Sequence, residues 1–187
     1  MKTRVVIING IPTGWKDTFV QMVADYCEMD ESVNVFNISS VEPIKDMLTG
    51  FGWNGEKSDS IRDIIASIKN LWIATQNGPT TFLFTNIYQY HMMHADEDNI
   101  IFCHIREPIE IEKLVGVLAG MKIMGIVTTT VLVNRAESYR STGVLADDIN
   151  IINNYKYDSI IYNDGTLEQL KEMAEKFVDM LLGGWND

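Results

Sequence analysis

The feature that most constrains the fold of this sequence lies near its start, where a short apolar run meets a loop and then a helical pattern. Residues 5–8 are four consecutive aliphatic residues, which is typical of a parallel strand buried on both faces. Asn9 and Gly10 end the run, and residues 17–29 place apolar side chains at helical spacing. A strand that leads through a loop into a helix opens a βαβ unit, so the segment predicts a parallel α/β sheet.

The loop between strand and helix has residue types suited to binding phosphate. It contains Gly10, Pro12, Thr13, Gly14, Trp15, Lys16, Asp17 and Thr18. Backbone N–H groups and the dipole at a helix N-terminus favour anions, and Lys16 is spaced to reach the β- and γ-phosphates of a nucleotide. In the pattern G-x-x-x-x-G-K-[ST], Trp15 takes the place of the second glycine and Asp17 that of the hydroxyl residue. The alternative is a turn that uses glycine and proline for geometry alone.

Strand and helix patterns alternate along the rest of the chain. Further strands are predicted at 33–38, 100–105, 127–133 and 159–162, and helices at 41–48, 59–75, 109–124 and from Thr166 onward. Residues 80–93 fit a helix, although 81–85 also suit a strand. The alternation predicts one three-layer α/β/α domain over residues 1–187, built on a five-stranded parallel sheet.

Composition excludes several classes of partner. A formal net charge of -11 argues against nucleic acid, because a binding face needs clustered Lys and Arg. No apolar run approaches the ~20 residues that span a bilayer, so we expect no membrane association. The chain starts without a signal-peptide pattern, and Cys27 and Cys103 lie far apart, which predicts a cytoplasmic protein with reduced thiols.

Basic residues follow two of the predicted strands. Arg106 comes directly after the strand at 100–105, and Arg135 follows the strand at 127–133. Ligands of open α/β sheets bind at the carboxyl ends of the strands, so both are candidates for an anion site. The alternative for Arg106 is a salt bridge with Glu107 or Glu110.

Three stretches resemble the nucleoside monophosphate kinases. That family writes its loop as G-x-P-G-x-G-K-G-T, with which Gly10, Pro12, Lys16 and Thr18 align, and the Lys-Asp-Thr ending is similar to phage-type deoxynucleoside monophosphate kinases. Residues 40–62 resemble the substrate-side segment of these enzymes. Residues 157–167 resemble the Y-D-x-x-I-x-N-D-G-x-L ending of guanylate, deoxynucleoside monophosphate and dephospho-CoA kinases.

The resemblance implies a P-loop NTPase fold, with a substrate-binding segment at about 40–78 and a small lid at about 135–150. It implies a kinase that uses ATP and Mg²⁺ to phosphorylate a nucleoside or deoxynucleoside monophosphate. The roles carried over are phosphate binding and catalysis for Lys16, catalysis on the lid for Arg135 and Arg140, acceptor binding for Lys45, Arg62 and Arg106, contact beside the base for Asn163 and Asp164, and Mg²⁺ binding for Asp17 and Thr18.

Trp15 is the main departure from that family. A glycine at this position lets the backbone approach phosphate, and a side chain held at positive φ costs about 1–2 kcal/mol. The ring can block the phosphate site or pack on a neighbouring loop. We expect the second arrangement, with Gly14 taking the unusual backbone angle. The alternatives for function are a catalytically impaired P-loop nucleotide-binding protein, or a kinase for another phosphorylated metabolite such as phosphomevalonate or dephospho-CoA.

Overall fold

A parallel five-stranded sheet forms the centre of the protein, as the sequence predicts. The computed structural model describes residues 2–11, 14–29, 33–56, 58–76, 78–136 and 154–183. The strands are β1 (Thr3–Gly10), β2 (Val33–Ser39), β3 (Asp98–His104), β4 (Ile126–Asn134) and β5 (Ser159–Tyr162). Their spatial order is β2-β3-β1-β4-β5, and every neighbouring pair is parallel.

The helices that connect the strands lie close to their predicted positions. They are α1 (Lys16–Cys27), α2 (Glu42–Gly50), α3 (Asp59–Gln76), α4 (Gly78–Met93), α5 (Pro108–Ala119) and α6 (Leu167–Gly183). The ambiguous stretch at 80–93 is a helix, because Leu83, Ile87 and His91 recur every four residues on its buried face. None of the described helices is long and apolar enough to cross a bilayer.

The helix predicted at 109–124 is shorter than expected. α5 ends at Ala119, and a separate 3-10 turn covers Lys122–Met124 before β4. Gly120 caps α5, and Gly125 takes a left-handed φ of 83° that turns the chain into the strand. The positive φ of Gly125, which glycine tolerates, ends helical structure where the apolar pattern alone continues it.

Alternate residues of the central strand β1 serve two separate cores. Val5 and Ile7 pack with Leu83, Ile87, Ile111 and Leu114 of α4 and α5. Val6 and Ile8 pack on the other face with Phe19 and Val23 of α1 and Leu170 and Phe177 of α6. Because successive strand residues point to opposite faces, the apolar run at 5–8 contributes to both cores. The result is the three-layer arrangement predicted from the sequence.

The last helix is held at both its start and its core face. The Thr166 N–H donates to Gln169 Oε1 at 2.9 Å, and the Gln169 N–H donates to Thr166 Oγ1 at 3.3 Å, which is a reciprocal capping box. Phe177 meets Phe19 of α1 edge to face, with ring centroids 5.5 Å apart. α6 therefore covers α1 and the strands beneath it.

The strand order places a crevice above the carboxyl end of β1. The chain passes from β1 to β2 on one side, and later from β3 back across β1 to β4 on the other. Connections that leave in opposite directions open a gap between neighbouring strand ends, where ligands of α/β proteins bind. Ile11, Gly14, Trp15 and the start of α1 lie at this gap.

Candidate functional site

Two glycines of the predicted phosphate loop are required by close packing. A Cβ added at Gly10 would lie 2.9 Å from the carbonyl oxygen of Val133 in β4. One added at Gly14 would lie 2.9 Å from the carbonyl oxygen of Ile11, to which the Gly14 N–H donates at 2.9 Å. The loop thus turns tightly against the end of β4. The predicted members Pro12 and Thr13 lie outside the described residues.

Trp15, and not Gly14, takes the unusual backbone angle of this loop. Its φ of 62° and ψ of 26° lie in the left-handed region, whereas Gly14 does not have a positive φ. The expectation for Gly14 is wrong: its N–H closes a turn onto the Ile11 carbonyl, and the left-handed angle falls on the next residue, directly before α1. The Trp15 ring is half-buried against the α1–α6 core, and the Arg135 guanidinium carbon lies 4.1 Å from its centroid. The expected packing of the ring on a neighbouring loop is found.

A cluster of three polar side chains surrounds the tip of Lys16. Its Nζ donates to His104 Nδ1 and also contacts the carboxylate of Asp17. His104 Nδ1 lies 3.6 Å from Asp17 Oδ1. Burial and the positive charges of Lys16 and Lys45 lower the pKa of His104 to about 4, although Asp17 acts in the opposite direction. The imidazole is therefore uncharged at neutral pH, and its acceptor role at Nδ1 puts the proton on Nε2.

His104 belongs to this cluster, although the sequence did not identify it as a site residue. It is the last residue of β3, and only 14% of its side chain is exposed. The sequence signal was its place at the carboxyl end of a predicted strand, the criterion that selects Arg106. Its contact with Lys16 depends on β3 lying directly beside β1, which no local pattern specifies.

Asn9 joins the ends of β1 and β3 to the segment before β5. Its Oδ1 accepts from the Gly10 N–H at 2.8 Å, and its Nδ2 donates to the Arg106 carbonyl at 2.8 Å. Nδ2 also donates to Tyr157 Oη at 2.8 Å, and burial raises the pKa of this tyrosine to about 12. Asn9 and Tyr157 are both buried, so this network fixes the base of the phosphate loop.

The two residues predicted beside the nucleotide base tie the phosphate loop to β4 and β5. Asn163 is buried, and its N–H donates to the Asn134 carbonyl at 2.7 Å while its Nδ2 donates to the Gly14 carbonyl at 3.4 Å. Asp164 Oδ1 accepts from the Ala136 N–H at 2.7 Å. The Asn-Asp-Gly sequence is thus more than a turn into α6. Contact with a base stays a prediction.

The predicted acceptor-binding cations do not all meet. Lys45 on α2 pairs with Glu42 at 3.8 Å and acts electrostatically on His104, so it lies near the phosphate loop. Arg106 is exposed at the end of β3. Arg62 on α3 has 54% of its side chain exposed and bonds Asp59 of its own helix at 3.3 Å. Within the part of the chain that the structure describes, no hydrogen bond or ion pair joins the Arg62 side chain to another element.

Glu107 and Glu110, the two acidic residues considered as salt-bridge partners of Arg106, each pair with a different residue. Glu107 pairs with Lys69 of α3, whose side chain is only 5% exposed. Buried Glu110 accepts from Thr80 at 3.1 Å and pairs with Lys113 at 2.9 Å. The sequence did not identify Lys69, because helical periodicity does not show which polar residue a neighbouring element will cover.

The remaining predicted residues concern the metal and the lid. Asp17 has 77% of its side chain exposed, and Thr18 is half-buried on the first turn of α1. Among the described residues, no group of three or more His, Cys, Asp or Glu side chains is arranged to hold a metal ion. Arg140 and the lid residues 137–150 lie outside the described residues, so Arg135 and Ala136 are the described part of the predicted lid.

Comparison of the whole chain with known proteins identifies its fold. No protein-family model matches the sequence, and no curated protein matches it. The APS kinase CysC of Mycobacterium tuberculosis, in complex with AMPPNP and APS, aligns over 97% of this chain and 99% of its own, with 11% identity and a TM-score of 0.51. The tunicamycin resistance protein of Deinococcus radiodurans aligns over 97% and 96%, with 16% identity and a TM-score of 0.52.

A thymidylate kinase from Ehrlichia chaffeensis is also similar in structure. It aligns over 95% of this chain and 100% of its own, with 12% identity and a TM-score of 0.50. The chain therefore has the fold of the P-loop kinases, as its sequence predicts. At these identities the likeness is one of fold, and it does not single out the phage-type deoxynucleoside monophosphate kinases.

Proposed function

We propose that this protein is an ATP-dependent phosphotransferase that phosphorylates a nucleoside or deoxynucleoside monophosphate. The observation that carries the proposal is the position of Lys16. Its ammonium group lies at the N-terminus of α1, beside the carboxyl end of β3. The helix dipole, the N–H groups of the first turn and a lysine together make a site for the phosphates of a nucleotide.

A protein that catalyses phosphoryl transfer contributes mainly the positioning of the reactants and positive charge. In the proposed site the loop N–H groups and Lys16 hold the ATP phosphates. Arg135, whose guanidinium lies against the Trp15 ring, supplies positive charge to the transferring group. Lys45 and Arg106 bind the acceptor, and Arg140 is a second candidate on the lid.

Mg²⁺ is the metal that the proposed reaction uses, and the oxygen donors of Asp17 and Thr18 suit it. The Asp17 carboxylate is exposed but also contacts Lys16, so these two residues would supply few of the six ligands. When bound, the ion would supply positive charge to the phosphate groups. Most of its coordination would then come from phosphates and water.

The position of Lys45, which is predicted to bind the acceptor, favours a phosphorylated substrate. Lys45 comes from the segment after β2 and lies close enough to His104 to lower its pKa. A cation beside the phosphate loop suits a second anionic ligand that must lie close to the first. A thymidylate kinase and an APS kinase have the same fold as this chain, which is consistent with a phosphorylated acceptor.

The direct test is the Lys16→Ala variant. We expect it to abolish stabilisation by ATP, which otherwise follows RT ln(1 + [L]/Kd), without unfolding the protein. Lys122→Ala is the matched control, because Lys122 is exposed in the turn before β4, at the opposite edge of the sheet. ATP binding that survives in Lys16→Ala, measured by calorimetry, would place the phosphate site elsewhere.

The acceptor is tested by a coupled assay of ATP and Mg²⁺ with each nucleoside and deoxynucleoside monophosphate. We expect Lys45→Ala to raise the acceptor KM while leaving the ATP Kd nearly unchanged. Arg62→Ala should do the same if the substrate segment closes over the acceptor. If the acceptor KM and the ATP Kd rise equally in these variants, Lys45 and Arg62 belong to the ATP site instead.

Trp15 favours a second candidate function, a nucleotide-binding protein that has lost catalysis. A bulky residue at positive φ stands where the loop pattern has glycine. Under that alternative the protein binds ATP but transfers no phosphate to any acceptor in the screen.

A further inference from the structure

We propose, on the basis of the function proposed above, that His104 is the positioning residue of the phosphate-loop lysine. The Nδ1 atom of its imidazole accepts a hydrogen bond from the Lys16 ammonium and so holds it at the phosphate site without adding a negative charge. Neither the resemblance to known kinases nor the loop pattern assigns a role to this histidine.

The position of His104 is fixed by the sheet. β3 lies between β1 and β2, and His104 is in register with Ile8 on one side and Ser39 on the other. Its carbonyl accepts from the Ser40 N–H at 3.1 Å, so its backbone is anchored at the carboxyl edge. From there the ring reaches Lys16 at the start of α1.

A lysine needs such a partner because its four-carbon stem is flexible. Ordering a lysine side chain costs rotamer entropy, so a lysine already held in place binds its ligand more tightly. Asp17 also contacts Lys16, but its carboxylate cancels the lysine charge. A neutral nitrogen acceptor orients the ammonium and leaves its charge available, which matters in a protein of net charge -11.

The surroundings of the ring agree with this role. Lys16 and Asp17 of α1 face the ring, and Lys45 of α2 lies close enough to act on it electrostatically. His104 Nε2 is buried, and it has no hydrogen-bond partner among the described residues. A histidine retained for packing alone would be expected to satisfy both nitrogens. The hydrogen bond at Nδ1 is the one from Lys16, and Asp17 Oδ1 lies 3.6 Å from the same nitrogen.

Three substitutions of His104 separate the effect of its hydrogen-bond acceptor from the effect of charge. His104→Asn keeps a neutral acceptor near the Nδ1 position, His104→Leu removes the acceptor, and His104→Asp replaces it with a charged one. The probe is tripolyphosphate in EDTA, measured by calorimetry, so that no metal ion contributes. We expect the Asn variant to bind within about threefold of the unaltered protein, and the Leu variant about tenfold more weakly, equivalent to ~1.4 kcal/mol.

The Asp variant should bind tripolyphosphate more weakly than the Leu variant, because it both neutralises Lys16 and repels the probe. Thermal unfolding of the ligand-free variants provides the readout of a structural role. If the Leu variant does not fold, the comparison of Asn with Asp tests the same point. Equal binding by Leu and unaltered protein, or by Asn and Asp, would overturn this inference alone. No tripolyphosphate binding by the unaltered protein would overturn both this inference and the proposed function.

Discussion

At the scale of single residues, Trp15 shows how a strained backbone is retained. A non-glycine residue in the left-handed region costs about 1–2 kcal/mol, and it persists only where its surroundings compensate. The Arg135 guanidinium lies 4.1 Å from the Trp15 ring centroid. Such a cation–π contact contributes about 0.5–2 kcal/mol, with burial of the ring in addition. The two effects are of similar size, so the strained angle costs the fold little.

Two replacements of Trp15 distinguish strain from contact. Trp15→Gly removes both the strained angle and the ring, whereas Trp15→Leu keeps a Cβ at positive φ and loses the aromatic face. We expect Leu to lower the free energy of unfolding by about 1–2 kcal/mol more than Gly, since only Gly recovers the backbone cost. Urea denaturation measures this difference.

The same variants report on nucleotide binding. Trp15→Gly should bind ATP no more than about tenfold better than the unaltered protein, equivalent to ~1.4 kcal/mol. The ring packs against Arg135 and the α1–α6 core, so its removal opens little space for phosphate. A native chain that binds no ATP, beside a glycine variant that binds it well, would contradict the kinase proposal and favour a P-loop-derived protein that has lost catalysis.

At the scale of secondary-structure elements, one ion pair fastens α3 to the start of α5. Lys69 belongs to α3, and Glu107 is the N-cap residue of α5, directly after the loop that leaves β3. Lys69 is almost fully covered whereas Glu107 is partly exposed. The two partners therefore differ in how well water can replace the interaction.

This asymmetry gives a testable order of stability. Glu107→Gln leaves a buried lysine charge without its partner, and we expect it to lower the free energy of unfolding by about 2–4 kcal/mol. Lys69→Met leaves a carboxylate that water can reach, so it should cost less. The double variant should recover part of the loss. Urea denaturation of the three variants would contradict this account if Lys69→Met were the most destabilised.

At the scale of the whole molecule, two cores share one sheet. β1 contributes Val5 and Ile7 to one core and Val6 and Ile8 to the other, so neither core can come apart while β1 keeps its place. We expect a single cooperative unfolding transition in urea, with tryptophan fluorescence and far-ultraviolet circular dichroism changing together. Two separate transitions would indicate that the segment at 40–78 or α6 unfolds independently of the sheet.

Much of this architecture could be read from local patterns. The apolar run at 5–8, the helical spacing in α1 and the Thr166 start of α6 each depend on residues within a few positions of one another. Periodicity and turn chemistry are short-range properties, so they predicted the alternating strands and helices, the parallel sheet and the loop between β1 and α1. Where they failed, in the segment after α5, a 3-10 turn and the left-handed Gly125 take the place of the predicted helix.

The sequence by itself thus determined the order of elements and the place of the loop beside a helix N-terminus. Only the tertiary structure decided which side chains complete the site. Lys16 and His104 are 88 residues apart, and Gly14 and Asn163 are 149 apart. These contacts exist because the order β2-β3-β1-β4-β5 brings distant strand ends to one edge. The burial of Lys69 and the angle of Trp15 likewise follow from neighbouring elements, which no local spacing specifies.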